Sequence, residues 1–396
     1  MREDSKAPGA GQNRLAGLLG SALLALWMPA GSAQAQTVGE PAAAPPPRWT
    51  LSLGLHEGWD SNVLFSEPEG PGDVLTRIAA RLDRTWSGPR GRLMLSGGGE
   101  GSAYRRLPDL NRLTYGGDAD ASYLVSRRVA FRLSDTLRTS YASELAALTT
   151  SGLLLPRVLG HANTARGGFS YSASRRTTVS LDIQDDRVSF DSAALVGGSM
   201  LMAGATFGRE LTRADTVAAS FQYQRSAAGG QHGFTQTLYG AWNRGLGASA
   251  HLRVRAGASR FQPFASSSFR TTGVGGARLD ARRGRQAMEA GYDRAMDLAY
   301  GLGRLRINEL LAARYALSVT PRLAIELRGA HARGRDPSDP SFELTTTDLE
   351  AGLRCALARD LAVVGSYTRR ESEQRPSRPL SSQGATVSVS YGRTWR

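Results

Sequence analysis

The sequence predicts a single transmembrane antiparallel β-barrel of the up-and-down type, with about eighteen strands, and three observations carry that expectation. Apolar and polar residues alternate with a period of two in segment after segment from Trp49 to Trp395, which gives each segment one greasy and one wet face. Short and long connections alternate between the segments, as they do when strands run up and down and one end carries the elaborated loops. After the leader no stretch approaches the ~18 consecutive apolar residues that a spanning helix needs.

Taken in order, Arg14 precedes an apolar run, Leu15 to Pro29, and small residues then lead to Ala33-Gln34-Ala35. That pattern predicts a cleaved export signal over residues 1–35. The run is shorter than the ~20 residues of a membrane anchor. Removal of the leader leaves 396 − 35 = 361 residues. Residues 36–48, with Pro41 and Pro45 to Pro47, read as a stiff periplasmic lead-in, and residues 49–396 as the barrel.

A hydrophobic fraction of 41% and a mean hydropathy of −0.30 suit a soluble protein and a barrel equally, because barrel strands alternate lipid-facing with lumen-facing side chains. Net charge is +14, and every basic residue except Lys6 is arginine. The leader holds Arg2, Lys6 and Arg14 against Glu3 and Asp4, so +13 stays on the mature chain. An exported chain meets no genome, so no nucleic-acid partner is expected. Anionic lipid head groups and anionic solutes or polymers are the expected partners. Cys355 is the single cysteine, which rules out an intrachain disulfide, and its parity faces lipid.

The first strand, Trp49 to Trp59, sets Trp49, Leu51, Leu53 and Leu55 outward. Val74, Ile78, Ala80, Leu82 and Trp86 then alternate with Arg77, Arg81 and Asp83, and a glycine-rich strand follows from Arg92 to Tyr104. The next pair is the clearest in the chain. Leu113, Tyr115, Ala119, Ala121, Tyr123 and Val125 alternate with Arg112, Thr114, Asp118, Asp120 and Ser122, and Val129, Phe131, Leu133 and Leu137 with Arg132, Ser134, Thr136 and Arg138. The same beat continues through 164–173, 177–187, 201–211, 216–225, 235–244, 250–261, 271–281, 286–296, 305–317, 322–333, 347–357 and 361–370. In the last strand Val387, Val389, Tyr391 and Trp395 share one face.

Short connections such as Ser174-Arg175-Arg176, Arg282-Arg283-Gly284-Arg285 and Ala358-Arg359-Asp360 interleave with long ones at Ala142 to Gly160, Asp191 to Ser199, Gly334 to Ser341 and Ser372 to Gln383. An even strand count with short periplasmic turns places both termini in the periplasm. Trp86, Tyr123, Tyr171, Trp242, Tyr315 and Trp395 lie near short turns, and Tyr141, Tyr223, Tyr292 and Tyr367 near long loops. Two aromatic girdles are the expectation.

A strand that ends the chain on an aromatic residue resembles the C-terminal signal strand of outer-membrane barrels, which implies the barrel assembly machinery as a partner and closure of the last strand on the first. The segment Gly58-Trp59-Asp60-Ser61-Asn62-Val63 resembles the opening of the beta-barrel porin 2 family of Gram-negative outer membranes. That resemblance implies an outer-membrane porin of the kind associated with exopolysaccharide secretion, served by a periplasmic polysaccharide export protein. A general or mildly anion-selective diffusion porin is the alternative, and a barrel plugged by its loops, acting as anchor or receptor, is a further one.

Signs of catalysis are lacking. His56, His161, His232, His251 and His331 are far apart without metal-ligand spacing, and the runs Gly97 to Gly101 and Gly273 to Gly276 sit inside strands rather than before helices. Neither an enzyme, a cofactor nor a metal is expected. The candidate site is the lumen, where parity places Arg77, Arg81, Asp118, Asp120, Arg132, Arg138, Asp182, Arg253, Arg255, Arg306, Arg314, Glu326, Arg328, Asp348, Glu350 and Arg354. Two readings stay open: the charges pair across strands and keep the wall wet, or unpaired arginines bias the pore toward anions.

Overall fold

The structure is a computed structural model that describes residues 48–65, 70–142, 157–264, 268–339, 341–375 and 379–395. The expected export signal, and the expected lead-in apart from Arg48, which opens the first strand, fall outside the described residues, as does most of the expected long loop from Ala142 to Gly160.

Among the described residues eighteen strands form one sheet: β1 (Arg48–Asp60), β2 (Asp73–Ser87), β3 (Gly91–Tyr104), β4 (Arg112–Leu124), β5 (Val129–Tyr141), β6 (Leu159–Ser174), β7 (Thr177–Phe190), β8 (Gly198–Glu210), β9 (Asp215–Ala228), β10 (Gln231–Gly245), β11 (Ala250–Gln262), β12 (Arg270–Arg283), β13 (Gln286–Ala299), β14 (Arg304–Ser318), β15 (Leu323–Arg335), β16 (Glu343–Ala356), β17 (Leu361–Arg375) and β18 (Leu380–Trp395). Each pairs antiparallel with its sequence neighbours, and β18 closes on β1 from Trp49↔Trp395 to Asp60↔Gly384. Closure removes every free edge, so all backbone donors and acceptors of the wall can be met within it.

The alternation decides which way each strand faces. On β5, Leu133 is 63% exposed while Ser134 and Thr136 turn inward. On β4, Leu113 and Tyr115 face out opposite Thr114. Leu53, Ile78, Leu181, Phe207, Leu238, Leu311, Leu327 and Val387 continue this outer belt round the barrel. An apolar belt on the outside of a closed sheet is the surface that meets hydrocarbon.

The girdle is partly as expected. Tyr123, Tyr171, Trp395, Tyr292 and Tyr367 are outward and exposed, and the Arg84 guanidinium lies between the Trp49 and Trp86 rings at 4.5 and 4.4 Å. Tyr141 departs from it. Its ring is buried beneath the Arg157 guanidinium, and its hydroxyl donates to the Leu110 carbonyl in the β3–β4 loop.

One end of the barrel carries short turns throughout, and both described chain ends lie there. The other end is more varied than the sequence implied. The expected loop between Arg225 and Thr235 collapses to Gly229-Gly230, with φ of 57° and 78°, because β9 and β10 continue pairing to Ala228↔Gln231. Positive φ at both central residues gives the turn whose twist matches a hairpin, and glycine alone takes it without strain. Likewise β17 and β18 reach into the expected Ser372 to Gln383 loop.

Candidate functional site

The inner wall divides into arcs of different chemistry. In the first charged arc, β2 to β5, Arg81 reaches Asp83 at 2.9 Å and Asp118 at 2.8 Å, Arg138 meets Asp118 at 2.7 Å, and Arg77 faces Glu100 at 3.6 Å. Arg138 can lie across β4 because residue 116 is glycine. A Cβ there would come within 2.7 Å of Arg138 Nη1 and 2.8 Å of its Cδ.

The second charged arc runs from β11 to β13. Arg253 pairs with Asp280 at 3.1 Å, Arg278 with Asp280 at 3.1 Å and also with Glu289, and Arg255 with Asp293 at 2.5 Å beneath the Tyr239 ring. In the third, β14 to β17, Arg314 meets Glu326 at 2.6 Å, Arg328 bridges Glu326 and Glu350, and Arg370 faces Asp348 at 3.8 Å.

Neutral polar arcs separate them. Across β8 to β11 the wall presents Thr206–Ser220 at 2.9 Å, Gln224–Ser226 at 3.0 Å, Tyr239–Gln222 at 2.6 Å and Thr237–Ser259 at 3.0 Å. Across β17, β18 and β1 it presents Ser366–Thr386 at 2.7 Å and His56–Ser388 at 2.8 Å.

Most of the sequence-nominated charges are thus on the inner face and paired, which is the first of the two readings the sequence left open. Arg132 and Asp182 flank Gly168 from either side of β6 without closing an ion pair, and Arg354 and Asp120 likewise form none among the described residues. Asp83, Glu100, Arg278, Asp280, Glu289, Asp293 and Arg370 complete the network and were not among the candidate residues. Each shares the inward parity, but its partner is set by cross-strand register, which one strand's sequence does not contain.

Arg306 is a correction. It is 1% exposed and lies 3.7 Å from Asp297, so it is buried rather than wall-lining. The cause is a departure of the β13–β14 hairpin from the wall. β12 pairs with β13 only as far as Gly275↔Arg294, while β13 and β14 stay together to Ala299↔Arg304. The freed tip meets the β7–β8 loop, where Val196 and Gly301 exchange backbone hydrogen bonds of 3.0 and 2.9 Å.

Strands β8 and β13 are not neighbours in the wall, so this contact crosses the mouth. Leu298, Ala299, Tyr300 and Leu305 of the tip pack with Phe261, Val188 and Ala228 from inward positions of β11, β7 and β9. Burying each large side chain contributes about 1.5–3 kcal/mol to holding the hairpin there. Burial pushes the Tyr300 phenol above its ordinary value, and Asp186, Asp297 and Asp185 add to the shift. In the next loop the Ser341 hydroxyl and N–H, with Arg304, hold the exposed Asp339 carboxyl below its ordinary range against the opposing effect of desolvation.

The Asp60-Ser61-Asn62 segment is accounted for by closure of the barrel. Asp60 accepts from the Ser382 hydroxyl at 2.5 Å, Asn62 donates to the Ser381 carbonyl at 3.1 Å, and Ser61 exchanges bonds of 2.8 Å with Gln383 through its backbone N–H and its hydroxyl. Asn62 also accepts from the Phe65 N–H at 3.1 Å and is 3% exposed. These residues clasp the β1–β18 seam at the loop end. No group of metal-ligating residues occurs among the described residues.

No family model matches the chain, and no curated protein matches it. Solved structures share the fold. Pseudomonas aeruginosa OccK9 (OpdG) superposes with a TM-score of 0.51 at 12% identity over 88% of this chain and 98% of that one. Pseudomonas aeruginosa OccK2 (OpdF), solved in complex with glucuronate, gives 0.50 at 15% identity over the same shares, and Acinetobacter baumannii OccAB2 gives 0.50 at 9% identity, also over 88% and 98%. At these identities the likeness is one of fold, and it matches the eighteen-strand closure described above.

Proposed function

We propose that the protein is an outer-membrane diffusion porin for small hydrophilic solutes with a mild preference for anions. The observation that carries this reading is the inner wall: ion-paired arcs alternating with hydroxyl and amide arcs line a closed barrel of a size (~16–18 strands) that leaves an aqueous channel. Such a wall is wetted without offering one deep site, and weak multiple contacts let a solute leave as readily as it enters. One of the solved structures sharing the fold, Pseudomonas aeruginosa OccK2 (OpdF), holds glucuronate, a small sugar acid. Paired arginines lining the wall suit transient contact with a carboxylate.

The channel for polysaccharide secretion, expected from the Gly58 to Val63 resemblance, finds no support among the fold neighbours. The residues behind that resemblance serve the seam, and the β13–β14 hairpin narrows the mouth a polymer would thread. The inner wall also argues against a purely structural barrel, since a plugged anchor has no use for arcs of solvated charge.

Swelling of liposomes carrying the purified barrel tests the reading. The expected result is faster entry of glucuronate than of glucose, with large oligosaccharides excluded. Equal impermeability to all three solutes, or free passage of the oligosaccharide, contradicts it.

A further inference from the structure

We propose that the outer surface of β6 to β8 seats one glycerophospholipid of net negative charge, its phosphate in an arginine cup at the short-turn rim and an acyl chain in the apolar groove that continues from it. The cup, a cavity of about 470 Å³, is formed by Ser174, Arg175 and Arg176 of the β6–β7 turn with Arg209, Glu210 and Leu211 of β8 and its following turn. Three arginines against one glutamate leave it two positive charges. In contrast to the paired lumen arginines, Arg175, Arg176, Arg209 and Glu210 form no ion pair among the described residues. Guanidinium groups free to close bidentate bonds on a phosphodiester fit this geometry, and arginine does so better than lysine.

The apolar path from the cup follows the register. Arg209 lies opposite Thr177 at the rim. The next outward rows are Tyr171, Val179 and Phe207, then Phe169 with Leu181, then Gly167 with Ile183. That last pair, with Phe131, Leu133, Phe169 and Leu181, lines the near side of a second cavity of about 830 Å³ on the outer wall, which runs on across β4 and β3 to Leu93 and Trp86. Glycine at 167 leaves the groove its depth, since a Cβ there would come within 3.1 Å of Ile183 Cγ2. A register shift between Ser172 and Ser174 bends the strand where cup and groove meet, as an extra residue in one strand does.

Six residues separate Arg209 from Ala203, the partner of Ile183. At ~3.3 Å per residue and a tilt of ~40° they span a depth of about 15 Å, half of a ~30 Å hydrocarbon core. A cationic cup at the rim and an apolar groove reaching the midplane are arranged as the two ends of one leaflet lipid. The proposal rests on the transmembrane fold and is independent of conduction.

Native mass spectrometry of the purified barrel, titrated in detergent with phosphatidylglycerol, tests it. One phosphatidylglycerol should be retained per barrel. Phosphatidylcholine with the same chains should not be retained, and inorganic phosphate should not displace the bound lipid. Retention should weaken on the order of tenfold or more in Arg175→Gln/Arg176→Gln/Arg209→Gln, and should weaken in Arg209→Gln alone and in Gly167→Leu. It should be unchanged in Arg282→Gln/Arg283→Gln/Arg285→Gln, which removes as many charges from another turn. Heat-modifiable migration on SDS gels reports that each variant is folded, and channel recording on the same samples reports conduction separately. Equal loss in the two triple variants, equal retention of phosphatidylcholine, or full displacement by inorganic phosphate overturns the proposal.

Discussion

Arg138 donates to both carboxylate oxygens of Asp118, at 2.7 and 2.8 Å, from the neighbouring strand of the barrel wall. Arg81 approaches the same carboxylate from the other side at 2.8 Å while also meeting Asp83 at 2.9 Å, so two guanidinium groups share Asp118. Asp118→Asn leaves both cations without their shared counter-charge. The expected result is a reversal potential shifted toward anions in a salt gradient, with a loss of about 1–3 kcal/mol of stability because these groups are only partly buried. An unchanged reversal potential would show that this arc lies off the conduction path.

The parity of β5 makes a sharper structural prediction. Leu133 faces hydrocarbon and Ser134 faces the lumen, so Leu133→Arg should destabilise the barrel by about 2–4 kcal/mol while Ser134→Arg costs well under half as much. Urea unfolding from lipid vesicles measures both. Equal costs would mean that the two faces do not meet different media.

At the seam, Asn62 donates to Ser381 and accepts from Phe65 while buried at the loop end. Asn62→Ala should lower stability by about 1–3 kcal/mol through the polar groups it leaves unmet, and should lower the temperature at which the folded band is lost on SDS gels. Solute selectivity should stay as in the wild type. A selectivity change with unaltered stability would return this segment to a role in recognition.

Across the mouth, Val196 holds the tip of the β13–β14 hairpin. Val196 is partly buried against the apolar tip, so Val196→Asp would set a half-desolvated carboxylate against apolar side chains, a cost that undocking avoids. Single-channel conductance is expected to rise in this variant and to stay near wild type in Val196→Ala. Wild-type conductance in the aspartate variant would show that the hairpin does not narrow the path.

Much of this architecture is legible in the sequence because a barrel strand is a local object. The alternation at Leu113 to Val125 and Val129 to Arg138 fixes strand, face and approximate ends with no knowledge of the neighbours. The closing pairing of Trp395 with Trp49 follows from strand number once every edge must be satisfied. Ion-pair partners are different: that Arg255 finds Asp293, thirty-eight residues away, depends on the register of β11, β12 and β13. The burial of Arg306 was less visible still, since inward parity assumes a strand that stays in the wall, and β13 leaves it beyond Arg294. The Gly229-Gly230 hairpin was hidden for the opposite reason. Its strands pair past the point where the apolar beat fades.

Single-channel recording of the purified protein in planar bilayers under a salt gradient tests the central claim most directly. Discrete conductance steps of a water-filled pore and a reversal potential of modest size on the anion side are expected. A membrane that stays non-conducting with folded barrel inserted, or a strong cation preference, contradicts it.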